Sequence, residues 1–228
     1  MNYQLIKVCG MRHADNIRQV EALGPDWMGL IFWPRSSRCV DRCPDYLPTR
    51  ARRVGVFVDQ PADEIVRIAR DYRLDAIQLH GHETPADLCR LRTALDAARG
   101  ARPDGQAADT TAAAGTAPAL IKAFSISTAA DLERTADYDG AADYLLFDTK
   151  TPLAGGSGRQ FDWRVLDAYH GTTPFLLSGG IGPDDTGRLA AFHHPRCIGI
   201  DLNSRFELEP GLKDVEKLKT FIKKIREL

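Results

Sequence analysis

Eight short apolar runs punctuate this chain, and most successive pairs leave room for a helix between them. The runs are Gln4–Cys9, Trp27–Phe32, Arg53–Val58, Ala76–Leu79, Leu120–Phe124, Tyr144–Phe147, Phe175–Leu177 and Cys197–Ile200. Most are apolar at nearly every position rather than at alternate ones, the pattern of parallel strands covered on both faces. Between them lie helical periods. Ala62–Tyr72 carries Ile65, Ile68, Ala69 and Tyr72, and Pro85–Ala98 carries Leu88, Leu91 and Leu95. Pro183–Phe192 reads the same way, and Leu212–Leu228 sets Leu212, Val215, Leu218, Phe221, Ile222 and Ile225 against a Lys-rich face. The helix expected after Cys39 is poorly written and should be short. Eight β/α units in 228 residues predict one α/β domain, a closed (β/α)8 barrel, with an open doubly wound sheet as the alternative.

Such a barrel needs one large core, and 43% hydrophobic residues supply it. Thirty Lys and Arg against 31 Asp and Glu leave a net charge of −1. Nucleic acid and anionic membranes demand a basic excess, so neither is an expected partner. No apolar run reaches the ~18 residues of a membrane span. Met1–Cys9 is too polar for a secretion signal, which makes the cytoplasm the expected compartment. The five cysteines, Cys9, Cys39, Cys43, Cys89 and Cys197, are scattered. Only Cys39 and Cys43 lie close, without the second ligand pair of a structural zinc site, so all five read as reduced thiols. One segment breaks the rhythm. Arg99–Pro118 holds no Leu, Ile, Val, Met or aromatic residue, and cannot bury enough area to offset the entropy of ordering it. It reads as a flexible insertion on the N-terminal face of the barrel, before the fifth strand.

In a (β/α)8 barrel the chemistry sits at the C-terminal ends of the strands. Here those ends are polar. The first closes on Cys9-Gly10, the second runs into Arg35-Ser36-Ser37-Arg38, and the third ends near Asp59. The fourth gives Gln78-Leu79-His80-Gly81, the sixth Asp148, the seventh Ser178-Gly179-Gly180, and the eighth Asp201-Leu202-Asn203-Ser204. A thiol, acids, a histidine and glycine turns converging on one rim predict an enzyme. Gly179 and Gly180 let backbone N–H groups approach an anion, and Asn203 and Ser204 add donors beside them. Barrel enzymes often hold phosphate between these two loops.

The motifs carry a resemblance. Ile6-Lys7-Val8-Cys9-Gly10, the run Gly29 to Arg38, Val54-Gly55-Val56-Phe57-Val58 and Gln78-Leu79-His80-Gly81 resemble the phosphoribosylanthranilate isomerase family. So do Leu146-Phe147-Asp148-Thr149-Lys150, Gly155-Gly156-Ser157-Gly158 with Phe161-Asp162-Trp163, Leu177-Ser178-Gly179-Gly180, and the tail Pro210-Gly211-Leu212-Lys213-Asp214. The match runs in order along the chain, apart from the 99–118 segment. The resemblance implies an Amadori rearrangement in tryptophan biosynthesis, with a phosphoribosyl substrate and no metal or organic cofactor. It implies Cys9 as general base, Asp148 as general acid and Arg38 as receptor of the anthranilate carboxylate. Phosphate falls to Gly179, Gly180, Asn203 and Ser204. The chain has Asn203-Ser204-Arg205 where the family more often has Ser-Ser-Gly, and Trp33 where a tyrosine is common. Neighbouring enzymes of the same pathway are the expected associates.

The reaction asks for these residue types independently. Opening the sugar ring needs a proton on the ring oxygen, which a carboxylic acid of raised pKa can supply. The protonated imine then acidifies the sugar C2, and a thiolate can take that proton. A free thiol of pKa ~8.5 needs nearby positive charge, and Lys7 points to the same side of its strand as Cys9. His80 either lines the site or is a rim histidine. Asp201 either orients sugar hydroxyls or caps the next turn. His193-His194 should end a helix at the surface. The rival readings are another phosphosugar barrel enzyme, such as indoleglycerol-phosphate synthase with its catalytic lysine, and a phosphoribosyl-ligand binder without chemistry. Because loop length changes closure entropy only slowly, replacing 99–118 by a short Gly-Ser linker should leave kcat/KM nearly unchanged. A folded variant that lost about tenfold or more in that ratio would contradict the placement away from the active end.

Overall fold

The computed structural model describes residues 5–100, 117–149 and 161–228. Eight parallel strands close into a barrel in sequence order: β1 (Leu5–Val8), β2 (Trp27–Ile31), β3 (Arg52–Phe57), β4 (Ala76–Leu79), β5 (Ala119–Ile126), β6 (Tyr144–Thr149), β7 (Phe175–Leu177) and β8 (Cys197–Leu202). The seam joins β1 to β8, with Leu5 opposite Gly199 and Lys7 opposite Asp201. The closed barrel is thus observed, and the open sheet is excluded. Continuous apolarity has the expected cause, since successive residues face opposite ways. Leu5, Trp27, Val54, Ala76, Ile121, Leu146 and Leu176 fill the barrel interior. Ile6, Val8, Met28, Leu30, Ile77, Leu145 and Leu177 face the surrounding helices.

The helices are α1 (Ala14–Glu21), α2 (Ala62–Asp71), α3 (Pro85–Gly100), α4 (Thr186–Ala191) and α5 (Val215–Arg226). Tight 3-10 segments, Ala129–Tyr138 and Trp163–Ala168, stand where the fifth and sixth helices of a barrel would be. Three expectations need correction. The last helix begins at Val215, because Asp214 caps it by accepting from the Lys217 amide at 3.0 Å. Leu212 and Lys213 instead form β10, paired antiparallel with β9 (Glu207–Glu209). Second, the stretch after Cys39 forms no helix at all. Third, His194 does not lie at the surface: it is buried, with Nε2 3.2 Å from the Tyr169 carbonyl. The flexible-insertion reading falls on 101–116, outside the described residues. Among the described residues no helix is long and apolar enough to cross a membrane.

A single carboxylate organises the helix-free connection between β2 and β3. Glu21, at the end of α1 and only 3% exposed, accepts from the amides of Thr49 (2.6 Å), Arg50 (2.7 Å) and Ala51 (3.1 Å), and from the Tyr46 hydroxyl. Burial pushes its carboxyl up, but these donors outweigh burial and hold it down at about 2. A group whose folded pKa lies below its unfolded value adds stability above that unfolded value, here 4.5, and loses it as pH falls through about 2. Glu21→Gln should therefore cost about 2–4 kcal/mol at neutral pH. Urea unfolding should also show a smaller acid loss in the variant between pH 4.5 and 2 than in the parent. Unchanged stability at neutral pH would remove Glu21 from this role.

Candidate active site

Alternation along β1 points Lys7 and Cys9 into the barrel, and both are buried. The Cys9 amide donates to the Leu202 carbonyl at 2.8 Å, which continues the seam one step past the strands. Gly29 on β2 makes room for the thiol, since a Cβ there would come within 2.7 Å of Sγ. Beneath it, Lys7 Nζ lies 2.8 Å from Asp201 Oδ1, and the Ser178 hydroxyl donates to Asp201 Oδ2 at 3.1 Å. Burial alone would lower the Lys7 ammonium, yet Asp201 and the adjacent thiol carry it above its ordinary 10.5. Burial pushes the Cys9 thiol up; Lys7 and Lys213 pull it down, and Asp201 pushes it further up. The expectation that Lys7 would lower the thiol holds for its own contribution only. The net shift is upward, because a fully buried sulfur loses its water.

Across the mouth, Asp148 ends β6 with Oδ1 accepting from the Thr149 amide at 2.8 Å and Oδ2 3.6 Å from His80 Nε2. His80 Nδ1 faces the Gln78 side-chain amide at 3.2 Å, an arrangement that makes Nδ1 the acceptor and leaves the proton on Nε2, toward Asp148. Burial raises the Asp148 carboxyl and lowers the His80 imidazole. Both side chains remain about a quarter exposed at their tips, at 23% and 24%, so a ligand can reach them. His80 stands beside Asp148 at the mouth. Asp201 does not cap a turn: both its oxygens are engaged inside the barrel.

The glycine pair after β7 has positive φ at both positions, +90° at Gly179 and +69° at Gly180. Gly179 is also required for packing, because a Cβ would fall 2.6 Å from the Thr149 nitrogen and 3.1 Å from Asp148 Oδ1. The following loop meets the one after β8, where the Arg205 stem rests 3.6 Å from the Cβ position of Gly182. Ser204 opens a single 3-10 turn, Ser204–Phe206, in that second loop. Asn203 has its Oδ1 taken by Lys213 Nζ at 2.8 Å, which leaves only its N–H2 to serve an anion. The run Gly155-Gly156-Ser157-Gly158 lies outside the described residues.

Two functional-looking residues escaped the sequence reading. Arg38 donates through Nε (2.9 and 3.0 Å) and Nη2 (2.6 Å) to the carboxylate of Glu207, whose Oε1 also accepts from Lys213 Nζ at 2.7 Å. Burial pushes Glu207 up, but Arg38 and Lys213 hold it below its ordinary value. Lys213 is lowered by its burial. Gly10, at φ +77°, permits this approach, since a Cβ would lie 2.8 Å from both Arg38 Cδ and Asn203 Oδ1. The only sequence signal is the Pro210–Asp214 motif, and periodicity alone assigns Lys213 to a helix.

The family model described as N-(5'phosphoribosyl)anthranilate (PRA) isomerase matches residues 6–116 and 104–224. A curated relative from Parabacteroides distasonis, named N-(5'-phosphoribosyl)anthranilate isomerase, is 47% identical over 227 residues, covering 97% of this chain and 93% of its own. The chain belongs to this isomerase family. A Phocaeicola vulgatus relative of the same name is 44% identical, with 98% of both chains covered. Among solved structures, the phosphoribosyl anthranilate isomerase of Thermotoga maritima superposes with a TM-score of 0.74 at 30% identity, covering 98% of this chain and 99% of its own. Another isomerase of this kind, solved with reduced 1-(o-carboxyphenylamino)-1-deoxyribulose 5-phosphate, gives 0.72 at 26% identity, covering 98% and 99%.

Gly179→Ala tests how the mouth is built. The added Cβ must push the Asp148–Thr149 end of β6, and misplacing a reacting group by about 1 Å can cost ~10²-fold in rate. A fall of that order in kcat, with KM moving less, is expected in a folded variant. Unchanged kcat would show that the end of β6 yields without displacing Asp148.

Proposed function

We propose that the chain isomerises N-(5'-phosphoribosyl)anthranilate to 1-(2-carboxyphenylamino)-1-deoxyribulose 5-phosphate, with Asp148 as general acid and Cys9 as general base. The observation that carries the assignment is their placement. One thiol and one carboxyl project from β1 and β6 into the same mouth, and each has a neighbour suited to its task. Asp148, whose carboxyl burial raises, gives its proton to the ring oxygen as the C1–O bond breaks and the nitrogen lone pair forms the iminium. Cys9 then removes the C2 proton, and the C2–H electrons flow into the iminium to give an enolamine, which ketonises to the product. Lys7 stands next to the sulfur and stabilises the thiolate as it forms.

The same reading gives the substrate phosphate to the loops of Gly179, Gly180, Asn203 and Ser204, and its carboxylate to Arg38. Phosphate and carboxylate then anchor the two ends of the substrate. The positive φ at both glycines and the contact between the two loops support the first assignment. A guanidinium in the mouth with Nη1 unbonded among the described residues supports the second. The reading also takes the cytoplasm as the compartment and other tryptophan-pathway enzymes as associates.

Substitution and pH dependence test the division of labour. Acid–base groups contribute about 10²–10⁴-fold each, so Cys9→Ser and Asp148→Asn should each cut kcat by that order while KM moves less. A folded Cys9→Ser protein keeping more than about a tenth of kcat would remove Cys9 from the mechanism. The active form has the carboxyl protonated and the thiol ionised, although the carboxyl is the stronger acid. Between the two pKa values, each rise in pH gains thiolate and loses protonated carboxyl in equal measure, so kcat/KM is flat. It falls on the acid side through the Asp148 pKa, above 3.8, and on the alkaline side through the Cys9 pKa, above 9.0. An alkaline limb well below 9 would contradict the buried thiol.

A further inference from the structure

The hairpin that follows β8 places one charged residue of each strand opposite the other: Glu207 on β9 and Lys213 on β10 are register partners. Both side chains are buried, at 4% and 0% exposure, and they reach the mouth from beyond the barrel. Glu207 accepts both donors on one edge of Arg38, and its Oε1 accepts in addition from Lys213 Nζ at 2.7 Å and from the Gly211 amide at 3.1 Å. Lys213 Nζ in turn reaches Asn203 Oδ1 at 2.8 Å, at the end of β8. The carboxylate is thus fixed from both sides, and the Arg38 guanidinium is fixed by it.

Two features give this arrangement a function beyond packing. A guanidinium has two edges that can each take a carboxylate with paired hydrogen bonds. Glu207 occupies the Nε–Nη2 edge, which leaves the Nη1 edge without a partner among the described residues. The cluster is also unbalanced, with two cations against one carboxylate. Uncompensated charge in a buried place is costly, and an arriving anion relieves it. We propose that Glu207 and Lys213 are positioning residues that hold Arg38 with its free edge turned toward a ligand carboxylate. The inference rests on the assignment of Arg38 to that carboxylate. A long, unrestrained arginine would have to be ordered by each ligand as it bound, whereas one held beforehand has already lost that freedom.

The test compares two competitive inhibitors: reduced 1-(o-carboxyphenylamino)-1-deoxyribulose 5-phosphate and its counterpart without the ring carboxylate. The ratio of their inhibition constants is the carboxylate discrimination. Arg38→Met should collapse that ratio; if it does not, the assignment of Arg38 fails, independently of Glu207. With Arg38 so established, Glu207→Gln should reduce the ratio about tenfold, entirely through the carboxylate-bearing ligand. Lys213→Gln, acting from the other side of the carboxylate, should reduce it in the same direction by less, and serves if Glu207→Gln does not fold. Neither change should reduce the ratio further in the Arg38→Met background. An unchanged ratio in both single variants would make the pair purely structural. Tighter binding of the carboxylate ligand to Glu207→Gln would make Glu207 a competitor for Arg38 rather than its holder. Either result overturns the proposal.

Discussion

The ion pair between Lys7 and Asp201 is the interaction on which the active end of this barrel depends. It sits at the seam where the first strand meets the last, and the two residues are also partners in the strand register. A slip of β1 by one residue would turn Lys7 toward the helices and leave it and Asp201 as two buried, unpaired charges. Removing one partner of a buried pair typically costs about 3–5 kcal/mol, largely because the other is left uncompensated. The pair therefore specifies the closure of the barrel more than it stabilises it. Cys9 follows Lys7 by two residues and Asn203 follows Asp201 by two, so the same register carries the thiol and the second loop into the mouth.

Above that pair the mouth separates charge by task. His80 and Asp148 form a desolvated couple in which burial favours the neutral form of each. Arg38, Glu207 and Lys213 form a charged trio in which mutual attraction holds the glutamate carboxyl below its ordinary value against its burial. Between them the thiol is held protonated by burial and eased by two lysines. In the proposed reaction one end of the mouth gives a proton and the other holds an anion. The apolar interior below, from Leu5 and Trp27 to Leu146 and Leu176, gives these groups a rigid floor.

The strands were legible because burial on both faces leaves its mark at every position, and all eight runs became strands. Helix α1 was not read, because its buried positions include Asn16 and Glu21, which break an apolar stripe that Ile17 and Val20 alone cannot write. Asn16 is tied at both ends to Lys213, by its side-chain amide to the carbonyl and by its oxygen to the amide. The connection after Cys39 runs without a helix, and the Glu21 carboxylate takes up its last three amides, Thr49, Arg50 and Ala51, before β3. At the site, strand-end position was enough to single out Cys9, His80, Asp148 and the glycine pair. Glu207 and Lys213 belong to no strand of the barrel, and only the fold of the hairpin brings them to Arg38. Only the Pro210–Asp214 motif marks that stretch in the sequence, and nothing in it predicts the return to Arg38.

In the proposed reaction, side chains of this chain alone move the protons. The most direct measurement is a single-turnover experiment that follows the fluorescence of N-(5'-phosphoribosyl)anthranilate mixed with excess purified protein, with and without a strong metal chelator. The signal is expected to decay to completion at the same rate in both samples. Absence of decay, or decay that the chelator abolishes, would contradict it.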